Sequence, residues 1–310
     1  MVTLKLNIED SFYKQEEREG FIVSPEMKRI WAVELDLLNE FARVCVEHNL
    51  KWFAHAGTML GAIRHHGFIP WDDDIDVTMP RKDYEKLCSV APQVFSSPYF
   101  FQNDDTDPFF GRSYSRLRNS NTTAIQVFEK DFAFPFNQGI FIDIFPYDNV
   151  SDNDEELKSE IQMIEFLDSC SWRYRHMVHF YRPQVGVGWK PRMRYFLRHL
   201  LYKYINKSGG DYRRYQKDQL ALTTKHNEEH TRRVGEMIIS PLGRNIWDRS
   251  WVDDTIWVPF EMIRIPVPKN AEACLCVSFG SDWRIPKRQN NYHGQIVFDV
   301  DRPYTEYLKR

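Results

Sequence analysis

The chain has 310 residues, 42% of them hydrophobic and 15% aromatic, enough for one large domain or two modest ones, so disorder is excluded as a starting point. Its 41 Lys and Arg against 44 Asp and Glu leave a net charge of −3, a near-balance with no global footprint for nucleic acid. Five cysteines (Cys45, Cys88, Cys170, Cys274 and Cys276) without CxxC spacing exclude a disulfide framework and a zinc knuckle, and fit a reducing cytosol.

The opening MVTLKLNIEDSFYKQEEREG lacks the apolar centre of a signal peptide, and no run of 18 apolar residues follows anywhere. Ser24-Pro25 reads as an N-cap with proline at the first helical position. Met27, Ile30, Leu37, Leu38, Phe41 and Val44 then recur at helical spacing to about His48. KWFAHA (51–56) is a short strand, and Gly57-Thr58 turns it into a second helix, TMLGAIRHH. IDVTM is the next strand, and Pro80 opens the helix RKDYEKLCSV. Strands are expected at 99–102, 112–118 and 122–128, with GIFIDIF (139–145) the clearest. SDNDEELKSEIQMIEFLDSC begins a mostly helical stretch to about His230, broken at RPQVGVGWKP. The tail returns to strands at VPFEMIRIPVP and to the loop-like FGSDWRIPKRQNNYHG. This order predicts an α/β (α+β) mixed sheet flanked by helices, divided into a core over 1–149, a basic, aromatic-rich helical module over 150–235 and a C-terminal segment over 236–310 that packs back on the core.

The chemistry concentrates in GFIPWDDDIDVTMP. Side chains alternate along a strand, so Asp74 and Asp76 point one way while Ile75 and Val77 enter the core. Strand geometry puts the two carboxylates about 7 Å apart at the Cα level. In GIFIDIF the same rule sets Asp143 with Phe141 and Phe145, against Ile140, Ile142 and Ile144 on the other face. Three carboxylates from two strands make a hard oxygen-donor site suited to Mg²⁺ or Mn²⁺, which stabilises charge on a transferring phosphoryl group. Asp72 and Asp73 fit either that site or a plain acidic loop. Upstream, Gly57 allows close backbone approach and Thr58 offers a hydroxyl at a helix N-terminus, where anions are favoured. Arg64, Arg116 and Arg118 are further phosphate-binding candidates, the last two on one strand face by parity. Removing one crowded carboxylate is expected to spare stability or raise it.

FAHAGTMLGAIRHHGFIPWDDDIDVTMPRKDYEKL, SRLRNSNTT and GIFIDIFPYDNV resemble, in order, the LicD family of phosphocholine transferases, which is related to the fukutin-related proteins and shares a nucleotidyltransferase-like fold. VPFEMIRIPVP and FGSDWRIPKR echo it more loosely. The resemblance implies metal-dependent transfer of a phosphate-linked head group from a CDP-linked donor such as CDP-choline to a sugar hydroxyl of a glycan, with CMP released. In that reading Asp74 and Asp76 bind metal, and Asp143 holds the metal beside the attacking oxygen or takes its proton. Gly57, Thr58 and one or more of Arg64, Arg116 and Arg118 cradle the diphosphate. Trp71 is a stacking surface or a packed hinge. Fifteen residues separate Thr58 from Asp74, more than in most nucleotidyltransferases, and RHHGFIPW fills the interval. A nucleotidyltransferase releasing pyrophosphate and a noncatalytic glycan-assembly module are the alternatives.

Ser169 to Gly210 contains no Asp or Glu, but nine Lys/Arg and nine aromatics, leaving the remainder of the chain at −12. Such a stretch suits peripheral contact with an anionic membrane, a wall of the substrate cleft, or an ordinary helical face with snorkelling cations. A cytoplasmic protein is expected, in the first case peripheral at the inner face of the membrane, without a nucleic-acid partner.

Overall fold

A computed structural model describes residues 2–107, 110–129, 136–178, 188–207, 212–238, 243–288 and 296–307. The N-terminal part runs through β1 (Glu16–Arg18), β2 (Phe21–Val23), α1 (Pro25–Glu47), β3 (Phe53–Ala54), α2 (Ala56–His65), β4 (Asp76–Pro80) and α3 (Arg81–Val94). β5 (Tyr99–Gln102), β6 (Ser115–Asn119), β7 (Thr123–Gln126) and the long β8 (Ile140–Val150) follow. Helices α4 (Asp154–Val178), α5 (Trp189–Lys207) and α6 (Tyr212–Thr223) come next. The remainder comprises β9 (Arg233–Gly235), β10 (Ile246–Asp248), α7 (Arg249–Val252), β11 (Thr255–Phe260), β12 (Ile263–Pro268), α8 (Ala271–Phe279), β13 (Ile296–Asp299) and α9 (Tyr304–Tyr307).

The mixed sheet flanked by helices is present as expected. Its strands run β10-β9-β8-β4-β3, and β6 also pairs with β8 and carries β5. β4 and β8 are parallel, with Asp76 opposite Asp143; β3, β6 and β9 join antiparallel. α1 packs on β6 and β8, and α3 packs on β4 and β8. At the start of α1 the Ser24 hydroxyl accepts a hydrogen bond from the Met27 amide at 3.2 Å, and Pro25 opens the first turn.

Several boundaries differ from the sequence expectation. KWFAHA pairs only at Phe53–Ala54, 112–118 pairs only from Ser115, and 122–128 pairs to Gln126 before a 3-10 turn. β4 begins at Asp76, so Asp74 lies just ahead of the strand, although the Asp143 amide donates to the Ile75 carbonyl at 2.9 Å and extends the ladder one residue. The expected break at RPQVGVGWKP falls largely on residues 182–187, outside the described residues. The same holds for 289–295 of the loop-like tail.

One apolar cluster runs from Val23 through Leu35, Phe41, Val77 and Ile142 to Trp247, Val267, Leu275 and Val300. Residues late in the chain therefore complete the core begun by the early ones. A smaller cluster of Val150, Leu157, Ile164 and Met237 carries α4. The five cysteines are free thiols.

Candidate active site

The site is assembled where the start of α2, the start of β4 and the middle of β8 converge. The connection from β3 into α2 is tight: Ala56 sits at φ 44°, a left-handed conformation that costs a non-glycine residue roughly 1–2 kcal/mol. Thr58 then clamps the two elements together, its Oγ1 accepting the Asp76 amide proton at 2.8 Å. The His55 amide donates to the Asp76 carbonyl at 2.9 Å from the other side. Thr58 is thus buried and braces the strand, and its hydroxyl proton remains a donor. Gly57 leaves room for a neighbour, as anticipated, and the neighbour is a carboxylate. A Cβ there would lie 2.8 Å from Asp72 Oδ2, over the first turn of α2.

The carboxylates gather differently from the expected trio. Asp72, Asp73 and Asp74 each place one oxygen within 4.8 Å of the others. Asp76 and Asp143 stand beside them as register partners on adjacent strands. Enclosure by protein, then the charges of Asp74, Asp143 and Asp72, push the Asp76 carboxyl well above the usual carboxylate range; Arg116 opposes them. A sixth acid, Glu34 of α1, was not singled out from sequence. It is 1% exposed, and burial together with Asp73, Asp74, Asp72 and Asp76 drives its carboxyl upward. Its Oε2 has no hydrogen-bond partner among the described residues. The sequence carries a signal for its burial, though not for its neighbours: Glu34 lies three to four residues from Ile30, Trp31, Leu37 and Leu38, on the apolar stripe. Trp31 of the same stripe donates its indole proton to the Asp72 carbonyl at 2.9 Å, tying α1 to the acidic run.

The three arginines take separate places. Arg116 is buried and grips Asp143, Nε to Oδ1 at 2.5 Å and Nη2 to Oδ2 at 3.2 Å, with its guanidinium 3.7 Å from the Phe141 ring centre. Arg118 shares that face, but its Nε bonds Gln102 and its Nη1 donates to the Gly139 carbonyl at 2.6 Å. Arg64 lies on α2, donating Nη1 to the Trp283 carbonyl at 2.7 Å and Nε to His65 Nε2 at 2.8 Å. It lines a cleft of about 160 Å³ with Gly57, Trp71, Asp72, Trp283 and Lys287. Of the three, only Arg64 faces that cleft; Arg116 belongs to the carboxylates and Arg118 to the β5–β6 edge. Trp71 is half-buried, edge-on to Phe21 at 6.1 Å, and also on the cleft wall.

This donor set fits a hard divalent cation. Five aspartates and a glutamate converge, Arg116 pairs with one of them, the buried Glu34 Oε2 has no partner among the described residues, and oxygen-only ligation is what Mg²⁺ and Mn²⁺ take. Beside it lie a helix N-terminus and two cations, Arg64 and Lys287, able to receive phosphate oxygens.

The chain is similar to known proteins over part of its length. The family described as LicD/FKTN/FKRP, nucleotidyltransferase domain, matches residues 49–182. The chain is 33% identical over 117 residues to the lipopolysaccharide cholinephosphotransferase LicD of Haemophilus influenzae, covering 37% of this chain and 42% of that protein. Over 57 residues it is 37% identical to the uncharacterised protein RP689 of Rickettsia prowazekii and 35% identical to RT0683 of Rickettsia typhi, 18% of this chain in each case, and 21% and 18% of theirs. The chain thus matches about two-fifths of the length of the Haemophilus relative. The matched span holds Gly57, Thr58, the acidic run, Arg116 and Asp143, and over that span the chain is similar to the LicD/FKTN/FKRP nucleotidyltransferase domain.

Proposed function

We propose that the chain transfers a phosphate-linked head group, phosphocholine first, from a CDP-linked donor to a sugar hydroxyl of a cell-surface glycan, releasing CMP. The observation that carries this reading is the convergence of the acidic cluster with the α2 N-terminus at the mouth of the Arg64–Lys287 cleft. The Haemophilus relative's name, a lipopolysaccharide cholinephosphotransferase, supports the head group and the class of acceptor. Asp74 and Asp76, with Asp72 and Asp73 alongside, would hold Mg²⁺ or Mn²⁺, and Asp143 would complete the set. A cation bound there supplies Lewis-acid stabilisation of the charge that develops on phosphoryl oxygens.

The protein's own groups account for the rest. Gly57 and the first amides of α2 would bind a phosphate oxygen, and Arg64 and Lys287 would neutralise the diphosphate from the cleft side. Asp143, oriented by Arg116, positions the acceptor hydroxyl and takes its proton as the oxygen attacks the phosphorus in line. The tryptophans Trp71 and Trp283 give the head group or the base an aromatic wall.

Because the matched family is described as a nucleotidyltransferase domain, a second reading is transfer of a nucleoside monophosphate with pyrophosphate released. Incubation with labelled CDP-choline, or with CTP, in the presence of Mg²⁺ separates the two. CMP is the expected product, and it disappears in Asp74→Asn. Pyrophosphate from CTP would replace this proposal with the second reading. Neither product, together with unchanged glycan phenotype in Asp76→Asn, would leave a noncatalytic assembly role. Among the described residues no helix is long and apolar enough to cross a membrane. We place the reaction in the cytoplasm, where CDP-linked donors and reduced cysteines coexist.

A further inference from the structure

Helix α5 presents an apolar stripe to solvent. Trp189, Met193, Phe196, Leu197, Leu200 and Leu201 are all exposed, Trp189 at 66% and Phe196 at 59%, and Tyr204 continues the line at 73%. At roughly 100° per residue these positions fall within an arc of about 140°. Such an arc normally faces a core; here it faces outward. Exposed cations bound it, Arg192 on one side and Arg194 on the other, and Lys190 falls within it at the first turn. The segment from Ser169 to Gly210 has no Asp or Glu to offset them.

We propose that α5 is a docking surface for an anionic lipid bilayer, lying in the interface with its aromatic and leucine stripe among the acyl chains. An amphipathic helix of this kind gains from apolar burial and from cation attraction to anionic headgroups together. Charge complementarity selects the lipid over a second copy of the chain. A two-fold contact through the same stripe would set Arg192 and Arg194 against the identical arginines, with no acidic partner in the segment. The length and hydropathy of α5 keep it on the surface rather than across the membrane. Vesicle binding requires no turnover, so this inference stands apart from the chemistry proposed above.

Flotation of the full chain with vesicles tests it. The chain is expected to float with phosphatidylcholine vesicles that contain phosphatidylglycerol, to bind phosphatidylcholine alone far more weakly, and to come off as salt rises. The double variant Phe196→Ser/Leu200→Ser is expected to lower partitioning on the order of a hundredfold. Arg192→Glu/Arg194→Glu is expected to lower it at least tenfold, by roughly 1 kcal/mol or more per cation. Both pairs are exposed, so circular dichroism should be unchanged; were one to misfold, the lipid-composition and salt series still decides. A wild-type chain that stays in the soluble fraction with anionic vesicles overturns the proposal. So does binding that neither variant alters. A concentration-dependent dimer abolished by Phe196→Ser/Leu200→Ser would assign the stripe to a second copy instead.

Discussion

Asp143 illustrates how one pairing changes the expected behaviour of a site. From sequence, its removal relieves a crowd of like charges. In the structure it neutralises Arg116, which is 3% exposed. Relief of repulsion is on the order of 2 kcal/mol for charges several ångströms apart at an effective dielectric near 20. Stranding a buried guanidinium costs about 3–5 kcal/mol. Asp143→Ala is therefore expected to lose turnover and also to lower the urea midpoint. Asp74→Asn, half-buried and outside the strand, is expected to lose turnover with the midpoint kept, and a neutral Asp143 midpoint would show that the ion pair is dispensable. His65 offers a test by pH. Burial, and then the charges of Arg64, Arg18 and His66, depress its pKa to about 4 from an ordinary 6.5. Its Nε2 accepts from Arg64, so the folded state holds the neutral ring. A base whose folded pKa is lowered contributes stability that is full above 6.5 and lost as pH falls toward 4. Wild type is expected to lose up to ~3 kcal/mol across that window, and His65→Asn to lose distinctly less, as read by denaturant titration at each pH. At this scale the sequence shows much of the site. Two-residue alternation places Asp76 and Asp143 correctly and puts Arg116 and Arg118 on one face. It does not show that Arg116 would close on Asp143, or that Glu34 would join from α1, because those contacts are set by how separate elements pack.

The RHHGFIPW interval aims the acidic run, and a distant hairpin holds it. Glu261, at the β11–β12 turn with φ 50°, donates its amide to the His66 carbonyl at 2.8 Å. Its carboxylate accepts the Phe68 amide at 3.1 Å and a forked pair from Arg18 at 2.5 and 2.8 Å. A Cβ on Gly67 would collide with that carboxylate, so glycine is what lets the clamp close. Glu261→Ala removes three charge-assisted bonds and leaves Arg18 half-stranded. It is expected to cost roughly 2–4 kcal/mol in thermal or urea unfolding and to reduce turnover, although Glu261 touches neither carboxylate cluster nor cleft. Glu261→Gln, which keeps the shape, should cost about half as much; equal losses would point to packing rather than charge. The VPFEMIRIPVP strands are legible from alternation, whereas their use as a brace for a loop nearly 200 positions earlier is not. No local pattern encodes a contact between a turn and a loop so far apart.

Across the whole molecule, the core that carries the site draws on residues from Val23 to Val300, so the early and late segments stand or fall together. The density of carboxylates at its edge gives a global readout for the proposed cation. Mg²⁺ that binds the folded chain alone stabilises it by about 2.7 kcal/mol at a hundredfold excess over Kd, a shift of several degrees in melting temperature for a chain of this size. Wild type is expected to show that rise and to lose it on chelation. Asp72→Asn/Asp74→Asn should melt at one temperature regardless of Mg²⁺. A rise of equal size in the double variant would place the cation elsewhere. The mixed sheet and the flanking helices were legible because each is long and periodic; which helix surfaces remain uncovered emerged only once α6 had taken its place beside β8 and α4 beside α6. That strand, 11 residues without interruption, carries Asp143 in its first half and meets β9 with its last residues. At about 3.3 Å per residue, Asp143 and Val150 are roughly 23 Å apart along one stiff rod. A rod has no elbow. With the helices settled on lipid as proposed, the length of β8 would hold Asp143 well away from the strand's far end, where β9 joins it.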